Sequence, residues 1–317
     1  RGANELAALA REYGLATVSH YMAHVLDNGE AAIRNLLATL ESGQARIETD
    51  QGTAVEVSIT IDTNARTAIV DFAGTSAQQE TSFNAPAPVT RAAVLYALRV
   101  LAGVPMPLNS GCLRPVEIRI PQGSMLAPRF PAAVVAGNTE TSQIVTNALF
   151  AALKQLAPAQ GTMNNLTFGN AHLQYYETIA SGSPAGPSFD GTAGVHAHMT
   201  NTRMTDPEIL ELRYPVIVEE FSIRRRSGGR GRHISGDGTR RVLRFREPMH
   251  ISILSGYRRL RPPGLDGGEP GQSGRNLLRR RSGAIEDIGG CGETDAGPGD
   301  ALVIETPTGG GFGRPPS

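Results

Sequence analysis

Seven consecutive residues place several reactive side chains together at the start of a helical pattern. The segment Gly137-Asn138-Thr139-Glu140-Thr141-Ser142-Gln143 combines amides, hydroxyls and one carboxylate. We expect Thr139 or Asn138 to cap the following helix, so that its N-terminal amides face an anion or a developing oxyanion. Asn138 is then a candidate substrate contact, and Glu140 a candidate for proton transfer. A helix cap with no further role is the alternative.

A second polar segment, Gly161 to Asn170, contains two adjacent asparagines. On a strand, residues two apart share a face, so Asn165 and Thr167 point together and Asn164 points the opposite way. Carboxamides both donate and accept hydrogen bonds, which suits recognition of an amide ring such as a lactam or a hydantoin. Asparagines that only form a turn are the alternative.

A third candidate is the carboxylate of Glu177, which follows Tyr175 and Tyr176 on a predicted strand. Partial removal from water would raise the pKa of this carboxyl and make it a candidate general base. An ordinary surface glutamate is the alternative.

The fourth polar segment begins at Val195 and contains two histidines, His196 and His198. A strand would place both imidazoles on one face, where they could share a metal ion or transfer protons. Histidines with a purely structural role are the alternative.

The same segment continues through Asn201 and Arg203 and closes with Asp206-Pro207-Glu208. We expect Asn201 to contact a substrate ring and Arg203 to bind a carboxylate or a phosphate. Asp206 is then placed to orient Arg203 or His198.

Two glycine-rich stretches suggest further binding roles that we weigh against their context. The segment Gly309-Gly310-Gly311-Phe312-Gly313 could form an anion-binding nest, but it lacks the Lys-Ser/Thr of a P-loop, and we find no nucleotide-binding fingerprint. Arg224 to Arg232 superficially resembles an RNA-binding arginine-glycine segment, but no aromatic residues interleave it. We expect no nucleic acid as a partner.

The elements that must position these groups follow from hydrophobic periodicity. Apolar residues recur at helical spacing from Ala3 to Glu41, with a break near Gly14, and again from Thr90 to Ala102. Strict alternation predicts an antiparallel hairpin from Ala45 to Phe72, with its turn at Asp62-Thr63-Asn64. A short strand is predicted from Val116 to Ile120.

The next predicted helix runs from Thr139 to Leu156 and carries a single apolar stripe. Beyond Gly161 the pattern changes to short strand-like runs separated by glycine-rich turns. These runs are Leu173 to Ile179, Val216 to Ile223, His250 to Leu254 and Ala301 to Glu305.

The predicted fold class is α+β, with helices and an antiparallel hairpin in the first half and a glycine-rich β region in the second. We place the boundary between residues 1–157 and 158–317. The connection from Pro158 to Gly161 is short, so we expect the two parts to pack tightly.

Composition narrows the class of protein. The chain has 317 residues, enough for a sizeable core, and 30 Lys and Arg balance 30 Asp and Glu, so no net field draws it to nucleic acid or lipid. No stretch approaches the ~18 apolar residues of a membrane span. Cys112 and Cys291 lack a CxxC partner, which suits a reducing compartment. With no signal-like N-terminus, we expect a cytoplasmic protein that does not contact a membrane.

Taken in order, the polar and glycine-rich segments resemble one family, hydantoinase B/5-oxoprolinase, over essentially the whole chain. The matching stretches are Asp71-Phe72-Ala73-Gly74-Thr75-Ser76, Phe83-Asn84-Ala85-Pro86, Leu108-Asn109-Ser110-Gly111-Cys112, Gly137 through Gln143, Gly161 through Asn170, Tyr175 through Ile179, His196 through Glu208, Ser227-Gly228-Gly229, Gly236-Asp237-Gly238 and Thr306-Pro307 with the terminal glycines. Single motifs are weakly specific, but this many in one order is a specific signal.

The resemblance implies a B-type subunit, or the corresponding part of a fused 5-oxoprolinase, that works with an A-type subunit in a hetero-oligomer. The implied activity is ATP-dependent hydrolysis of 5-oxoproline to glutamate, or ring opening of a related hydantoin, with ATP used by the A-type partner. Asn138, Asn164, Asn165 and Asn201 are then the expected ring or oxyanion contacts. Glu140, Glu177, His196 and His198 are the expected proton-transfer groups, and Arg203 the expected anion contact.

The sequence departs from the family pattern in three respects. We expect an additional N-terminal region of the family to be missing from this chain. An Asn-Asp-Pro stretch with a nearby Gly-Gly-Thr-His, which we associate with metal ligands, is absent, so the ligands of any divalent metal are expected outside this chain. Thr308 stands where the family usually has glycine.

Two other functions stay open on the sequence alone. The chain could be a scaffold of the complex whose chemistry lies elsewhere, or a subunit of an acetone- or acetophenone-type carboxylase. Convergence of the polar segments on one pocket would favour a catalytic site, and their dispersal over hydrogen-bonded turns would favour a scaffold.

Overall fold

A computed structural model describes residues 1–316 of the chain. Its helices are α1 (Gly2–Tyr13), α2 (Leu15–Leu37), α3 (Ala87–Ala102), α4 (Ser142–Ala152) and α5 (Pro207–Arg213). The strands of the first half are β1 (Gly43–Glu48), β2 (Ala54–Asp62), β3 (Thr67–Asp71) and β4 (Val116–Arg119). Those of the second half are β5 (Asn165–Gly169), β6 (Gln174–Thr178), β7 (Ser181–Gly182), β8 (Ala193–Val195), β9 (Val216–Ile223), β10 (Thr239–Phe245), β11 (Met249–Leu254), β12 (Arg275–Arg279), β13 (Ile285–Asp287), β14 (Cys291–Ala296) and β15 (Ala301–Glu305).

The first half is a four-stranded sheet covered by helices. Strands pair in the order β1-β2-β3-β4, antiparallel except for the parallel pair β3 and β4. Alternation along β2 buries Val55, Val57 and Ile59 in a core that also contains residues of α2, α3 and α4, and β2 pairs antiparallel with β3, which confirms the predicted hairpin. The predicted break between the first two helices is also confirmed, because Gly14 adopts φ 85° between α1 and α2.

Helix α4 differs from its predicted form in two ways. It ends at Ala152 rather than Leu156, and each of its residues is buried, so no single apolar stripe exists. The reason is its position in the interior, where it contacts β1, β2 and α3. In addition, the five residues before it, Gly137–Thr141, form a π-helical turn, a local widening that is rare and frequently found at functional sites.

The second half is built from two larger sheets. One has the order β13-β12-β15-β10-β9 and the other β14-β11-β5-β6, and every pairing in them is antiparallel. Residues from both sheets, including Phe168, Phe245 and Leu302, share one core, as in a β-sandwich. The predicted α+β class is therefore confirmed, with one short helix, α5, added after the boundary at residue 157.

Glycines of the second half allow backbone segments to pack directly against one another. A Cβ at Gly310 would lie 2.0 Å from the carbonyl oxygen of Pro263, and one at Gly311 would lie 2.1 Å from that of Arg230. The amides of residues 310–313 donate to backbone carbonyls of the chain; Gly310, for example, donates to Pro158 and Gly311 to Glu269. The prediction that Gly309–Gly313 could form an anion-binding nest was therefore wrong, because backbone carbonyls of the chain accept the hydrogen bonds that an anion would need.

One aspartate of the first half binds three consecutive backbone amides of the second. Asp50, in the turn between β1 and β2, accepts hydrogen bonds from the backbone amides of Arg258 (2.5 Å), Arg259 (3.2 Å) and Leu260 (2.8 Å). Beside it, Tyr257 enters the core of the first half, whereas the rest of its loop belongs to the second. These contacts join the parts on either side of residue 157, although the boundary itself stays a prediction.

The outer surface of α1 and α2 is unusual for its apolar content. Helix α1 has no buried residue, and α2 buries only Gly29, Ile33, Leu36 and Leu37. Apolar side chains line an open groove between the two helices, and they include Leu6, Leu9, Tyr13, Tyr21, Met22 and Val25. Within the described residues, none of the helices combines the length and apolar character that crossing a membrane requires.

We predict that Gly310→Ala strongly destabilises the second half. The added methyl group would meet the carbonyl oxygen of Pro263 at 2.0 Å, and neighbouring backbone would have to move. We expect a loss of about 3–5 kcal/mol in the free energy of unfolding, measured by chemical denaturation. Gly2→Ala, whose added Cβ meets nothing within 4 Å, is the matched control. Equal stability of the two variants would contradict the packing described.

Candidate functional site

The π-turn Gly137–Thr141 is fixed by the segment Phe83-Asn84-Ala85-Pro86. A Cβ at Gly137 would lie 2.4 Å from the carbonyl oxygen of Asn84, so only glycine permits this approach. The hydroxyl of Thr141 donates to the carbonyl of Phe83 at 2.6 Å. Asn84 in turn donates to the carbonyls of Gln79, Thr81 and Ala133. Two of the matched sequence motifs therefore form one rigid unit.

The predicted capping role of Asn138 and Thr139 was wrong. Neither side chain caps the helix, because the π-turn continues into α4 without a break and Ala136 precedes it in helical conformation. Asn138 is exposed, and its carbonyl accepts the hydroxyl of Ser142 at 2.7 Å. The hydroxyl of Thr139 is buried and has no hydrogen-bond partner among residues 1–316.

Glu140 points inward from the same turn and is 2% exposed. Its Oε1 accepts hydrogen bonds from the amide of Met163 (3.0 Å) and the Nδ2 of Asn165 (2.8 Å). Its Oε2 has no hydrogen-bond partner within the described chain. Burial raises the pKa of Glu140 to about 8, although its hydrogen bonds and the charge of Arg258 oppose this change. The carboxyl is therefore protonated at neutral pH.

Glu140 and Tyr257 line the same small cavity. Its volume is about 20 Å³, which is room for about one water molecule. The hydroxyl of Tyr257, like Oε2 of Glu140, is buried and has no partner among residues 1–316. The cavity is thus lined by two groups that can each hydrogen-bond a water.

Asn165 and Asn164 lie next to Glu140, but their carboxamides are engaged within the protein. Asn165 donates to Glu140 and to the carbonyl of Leu254 (2.8 Å), and it accepts from the hydroxyl of Tyr176 (2.7 Å). Asn164 precedes β5 at φ 49° and donates to the side chain of Gln160 and the carbonyl of Ile179. In this structure both asparagines position their neighbours.

Arg258 completes this buried group, and sequence reasoning missed it. Its guanidinium donates to Asn164 (2.9 Å), Asn276 (3.1 Å) and the carbonyl of Gly256 (2.7 Å). Burial lowers the pKa of Arg258 to about 10, so the side chain remains charged at neutral pH. Arg258 lies among several arginines in the sequence, and no pattern in their spacing marks it as the one that joins this group.

Glu177 lies apart from Glu140, on the other face of the sheet. Strand alternation turns Glu177 and Leu166 into the core of the second half, away from Asn165. There its Oε2 is 3.1 Å from the guanidinium of Arg241, which is 0% exposed. Burial raises the pKa of Glu177, and the charge of Arg241 opposes that effect. The surface alternative is excluded, and the geometry is that of a buried ion pair.

The two histidines do not share a strand face, so that prediction was wrong. Strand β8 ends at Val195, and His198 adopts φ 59°, which turns the chain. The ring of His198 stacks on Phe150 at 5.3 Å between centroids, and Tyr96 meets its edge at 6.1 Å. Burial lowers the pKa of His198 to about 4. This histidine is placed as an aromatic packing residue.

His196 is more available for chemistry than His198. Both nitrogens of its ring lack a hydrogen-bond partner among residues 1–316, and partial burial lowers its pKa, so the ring is neutral at pH 7. The side chain of Gln143 donates to the carbonyl of Ala197 at 3.2 Å. That bond holds the His196 segment against α4. Gln143 lies on this helix one turn after Thr139.

The remaining predicted residues of this segment lie near the surface. Asn201 and Arg203 are exposed. Asp206 caps α5 instead of orienting Arg203 or His198, since its carboxylate accepts from the amides of Glu208 (3.0 Å) and Ile209 (3.3 Å). Among residues 1–316, no group of three or more His, Cys, Asp or Glu side chains is arranged to hold a metal ion.

Comparison of the sequence with known proteins agrees with the resemblance of the motifs. The hydantoinase B/oxoprolinase family model matches residues 1–315. The chain is 46% identical to 5-oxoprolinase 1 of Arabidopsis thaliana, over 99% of this chain and 26% of that protein. It is 42% identical to 5-oxoprolinase of Saccharomyces cerevisiae, over the same shares of the two chains. It thus spans 26% of the length of these curated relatives.

Two solved structures are similar in fold. The ATP-dependent caprolactamase from Pseudomonas jessenii superposes with a TM-score of 0.83 at 25% identity, over 99% of this chain and 60% of that one. A nucleotide-free acetone carboxylase superposes with a TM-score of 0.82 at 18% identity, over 97% of this chain and 50% of that one. The second similarity concerns the fold alone.

We predict that Glu140 makes the protein less stable as pH rises. The folded state keeps this proton up to about pH 8, whereas the unfolded carboxyl releases it near 4.5, so stability falls between these values. Glu140→Gln has no ionisable carboxyl, so it removes this contribution to the change of stability with pH. From about pH 5.5 to 7.5 the wild type should lose up to about 2 kcal/mol more than the variant, measured by chemical denaturation. Exposed Glu41→Gln is the control. Parallel stability curves of wild type and Glu140→Gln would show that this carboxyl ionises normally.

Proposed function

The chain belongs to the hydantoinase B/oxoprolinase family, and from this premise we propose that it is the B-type part of an ATP-dependent hydrolase of cyclic amides. The proposed reaction is ring opening of 5-oxoproline to glutamate, or of a related hydantoin. The similarity to named 5-oxoprolinases and to a caprolactamase supports a lactam substrate. The single observation that carries the location of the chemistry is the π-turn with buried Glu140, because the helix that follows this turn is tied to the His196 segment by the hydrogen bond from Gln143 to Ala197.

Burial raises the pKa of Glu140 and lowers the pKa of His196. Glu140 keeps its proton at neutral pH, and His196 is a neutral imidazole. Ring opening of an amide by water requires a base that takes a proton from the water and an acid that protonates the departing nitrogen. We assign the base role to His196 and the acid role to Glu140, whose Oε1 is fixed and whose Oε2 has no competing partner among the described residues.

ATP, used by an A-type subunit or domain, supplies the activation that makes the amide carbon reactive. Four consecutive amides of the tail, those of residues 310–313, donate to backbone carbonyls of the chain, so this stretch does not fit a nucleotide phosphate. Among the predicted substrate contacts, exposed Asn138, Asn201 and Arg203 are the groups free to reach a ring or its carboxylate. Asn164 and Asn165 act by holding Arg258 and Glu140 in place.

A scaffold function is the second candidate, and one observation favours it. Many polar groups in the matched motifs are used within the protein, for example the carboxylate of Asp237, which accepts from the amides of Arg226, Ser227 and Gly228. A carboxylase subunit receives no such support, because that similarity concerns the fold alone. A reducing, cytoplasmic location fits the two unpaired cysteines, Cys112 and Cys291.

We predict that His196→Gln lowers turnover and leaves substrate affinity little changed. Loss of the base should reduce kcat at least about 100-fold, with KM within a few-fold of wild type. The measurement is ATP-dependent release of glutamate from 5-oxoproline by the chain combined with its A-type partner, beside a full-length B-type protein. The matched control is His172→Gln, an exposed histidine on a loop of the second half. Unchanged kcat in His196→Gln would support the scaffold instead.

The apolar groove of α1 and α2 is our proposed contact surface for the A-type, ATP-using part of the complex. Large apolar patches that remain exposed commonly mark protein interfaces, and Leu9, Tyr13 and Met22 are about half exposed, at 46%, 58% and 52%. Relatives of this chain are longer, since it spans 26% of their length, so further protein surface is available to cover the groove.

We predict that Leu9→Glu prevents assembly with the A-type part. A charge in the centre of the apolar groove would be desolvated on contact, which should weaken association at least about tenfold in Kd. Size-exclusion chromatography with light scattering on a mixture of the two parts measures this. Ile285→Glu, on β13 and 66% exposed, introduces the same charge elsewhere. If Leu9→Glu assembles as well as that control, the groove is not the contact surface.

A further inference from the structure

A cleft in the second half is lined by three arginines with few negative neighbours. Its volume is about 390 Å³, and its walls are Arg224, Arg261, Gln272, Ser273, Arg275 and Glu305. We call it the arginine cleft. It lies at the ends of β9, β12 and β15, where the loop from residue 260 to 274 folds over the edge of the sheet. It is separate from the π-turn and from the apolar groove, which share no lining residue with it.

Two of the guanidinium groups are held in place by backbone and amide acceptors. Arg224 donates to the carbonyl of Thr306 and to the side chain of Gln272 (3.3 Å). Arg261 donates through Nε to the carbonyl of Gly271 at 2.7 Å. Because neither bond is to a carboxylate, these contacts fix orientation and leave the positive charge uncompensated. The remaining N–H groups of each guanidinium are available for a ligand.

The charge of the cleft is only partly neutralised by the protein. Among residues 1–316, Arg224, Arg261 and Arg275 form no ion pair. Glu305 is the one carboxylate in the wall, and it lies opposite Arg275 on the neighbouring strand. Its Oε1 is 3.3 Å from Nε of Arg240. Arg240 also forms an ion pair with Glu220. Burial lowers the pKa of Arg224, the charges of Glu305 and Asp237 oppose this shift, and the charge of Arg275 adds to it. Three guanidinium groups thus share one carboxylate in the wall of the cleft, which leaves an excess of positive charge.

We propose that the arginine cleft binds a small anion that carries two or more negative charges. Guanidinium groups bind carboxylates and phosphates through paired hydrogen bonds, and three of them around one cleft suit a diphosphate or a dicarboxylate. The volume is that of a small-molecule site. No aromatic side chain lines the cleft, and the chain has no net charge, so a nucleic acid strand is not the ligand that these features select.

The test is isothermal titration calorimetry of the whole chain at low ionic strength, with inorganic pyrophosphate in one arm and the simple dicarboxylate succinate in the other. The variant is Arg261→Gln/Arg275→Gln, since both side chains are exposed and their loss should leave the fold intact. The matched control is Arg91→Gln/Arg213→Gln, which removes two exposed arginines elsewhere. Thermal melting of all three proteins checks that each is folded.

We expect wild type and control to bind at least one of the two anions, and the cleft variant to bind it at least about tenfold more weakly. Raising the salt concentration should weaken the wild-type binding. The arm with the tighter binding identifies a phosphate or a dicarboxylate as the ligand class. Failure of both anions to bind wild type, or an equal loss in the cleft variant and the control, would overturn the proposal. The experiment measures anion binding without the ring-opening reaction, so its outcome does not depend on the proposed function.

Discussion

The carboxyl group of Glu140 is buried where the two halves of the chain meet, and the surrounding structure is organised to accommodate it. An isolated carboxylate in that position would be very costly, so the group keeps a proton and fixes one oxygen by two hydrogen bonds. One of its donors, Asn165, is itself held by Tyr176 and Leu254. Because these hydrogen bonds join residues on either side of residue 157, they favour the one packing of the two halves in which their donors and acceptors meet.

The sequence could predict most elements but only part of the candidate site. Alternation in β2 and the break at Gly14 are local signals, and both predictions were confirmed. Glu140 and Asn165, on different predicted elements, do come together. Arg258 was missed, because its role depends on a fold-level contact that no local spacing encodes.

The incorrect predictions have physical causes that a pattern of residue types does not contain. The histidine pair was placed on a strand, but the left-handed backbone at His198 ends the alternation that would align the rings. Helix α4 was given one apolar stripe, yet neighbours on all sides bury it completely. The glycine tail was weighed as an anion nest, whereas its amides satisfy carbonyl groups from Pro158 and Glu269. In each case a tertiary contact overrode a plausible local pattern.

The link from Asp50 to the loop at Arg258 also has a consequence for the time course of synthesis. The two residues are separated by 208 positions, so the carboxylate of Asp50 emerges from a ribosome long before its amide partners exist. At typical rates of about 5–20 residues per second, the interval is about 10–40 s. During it, the first half has to persist without Tyr257 in its core and without a partner for Asp50. Its sheet and three covering helices are local enough in sequence to form during that interval, which leaves the docking of the second half as the late event.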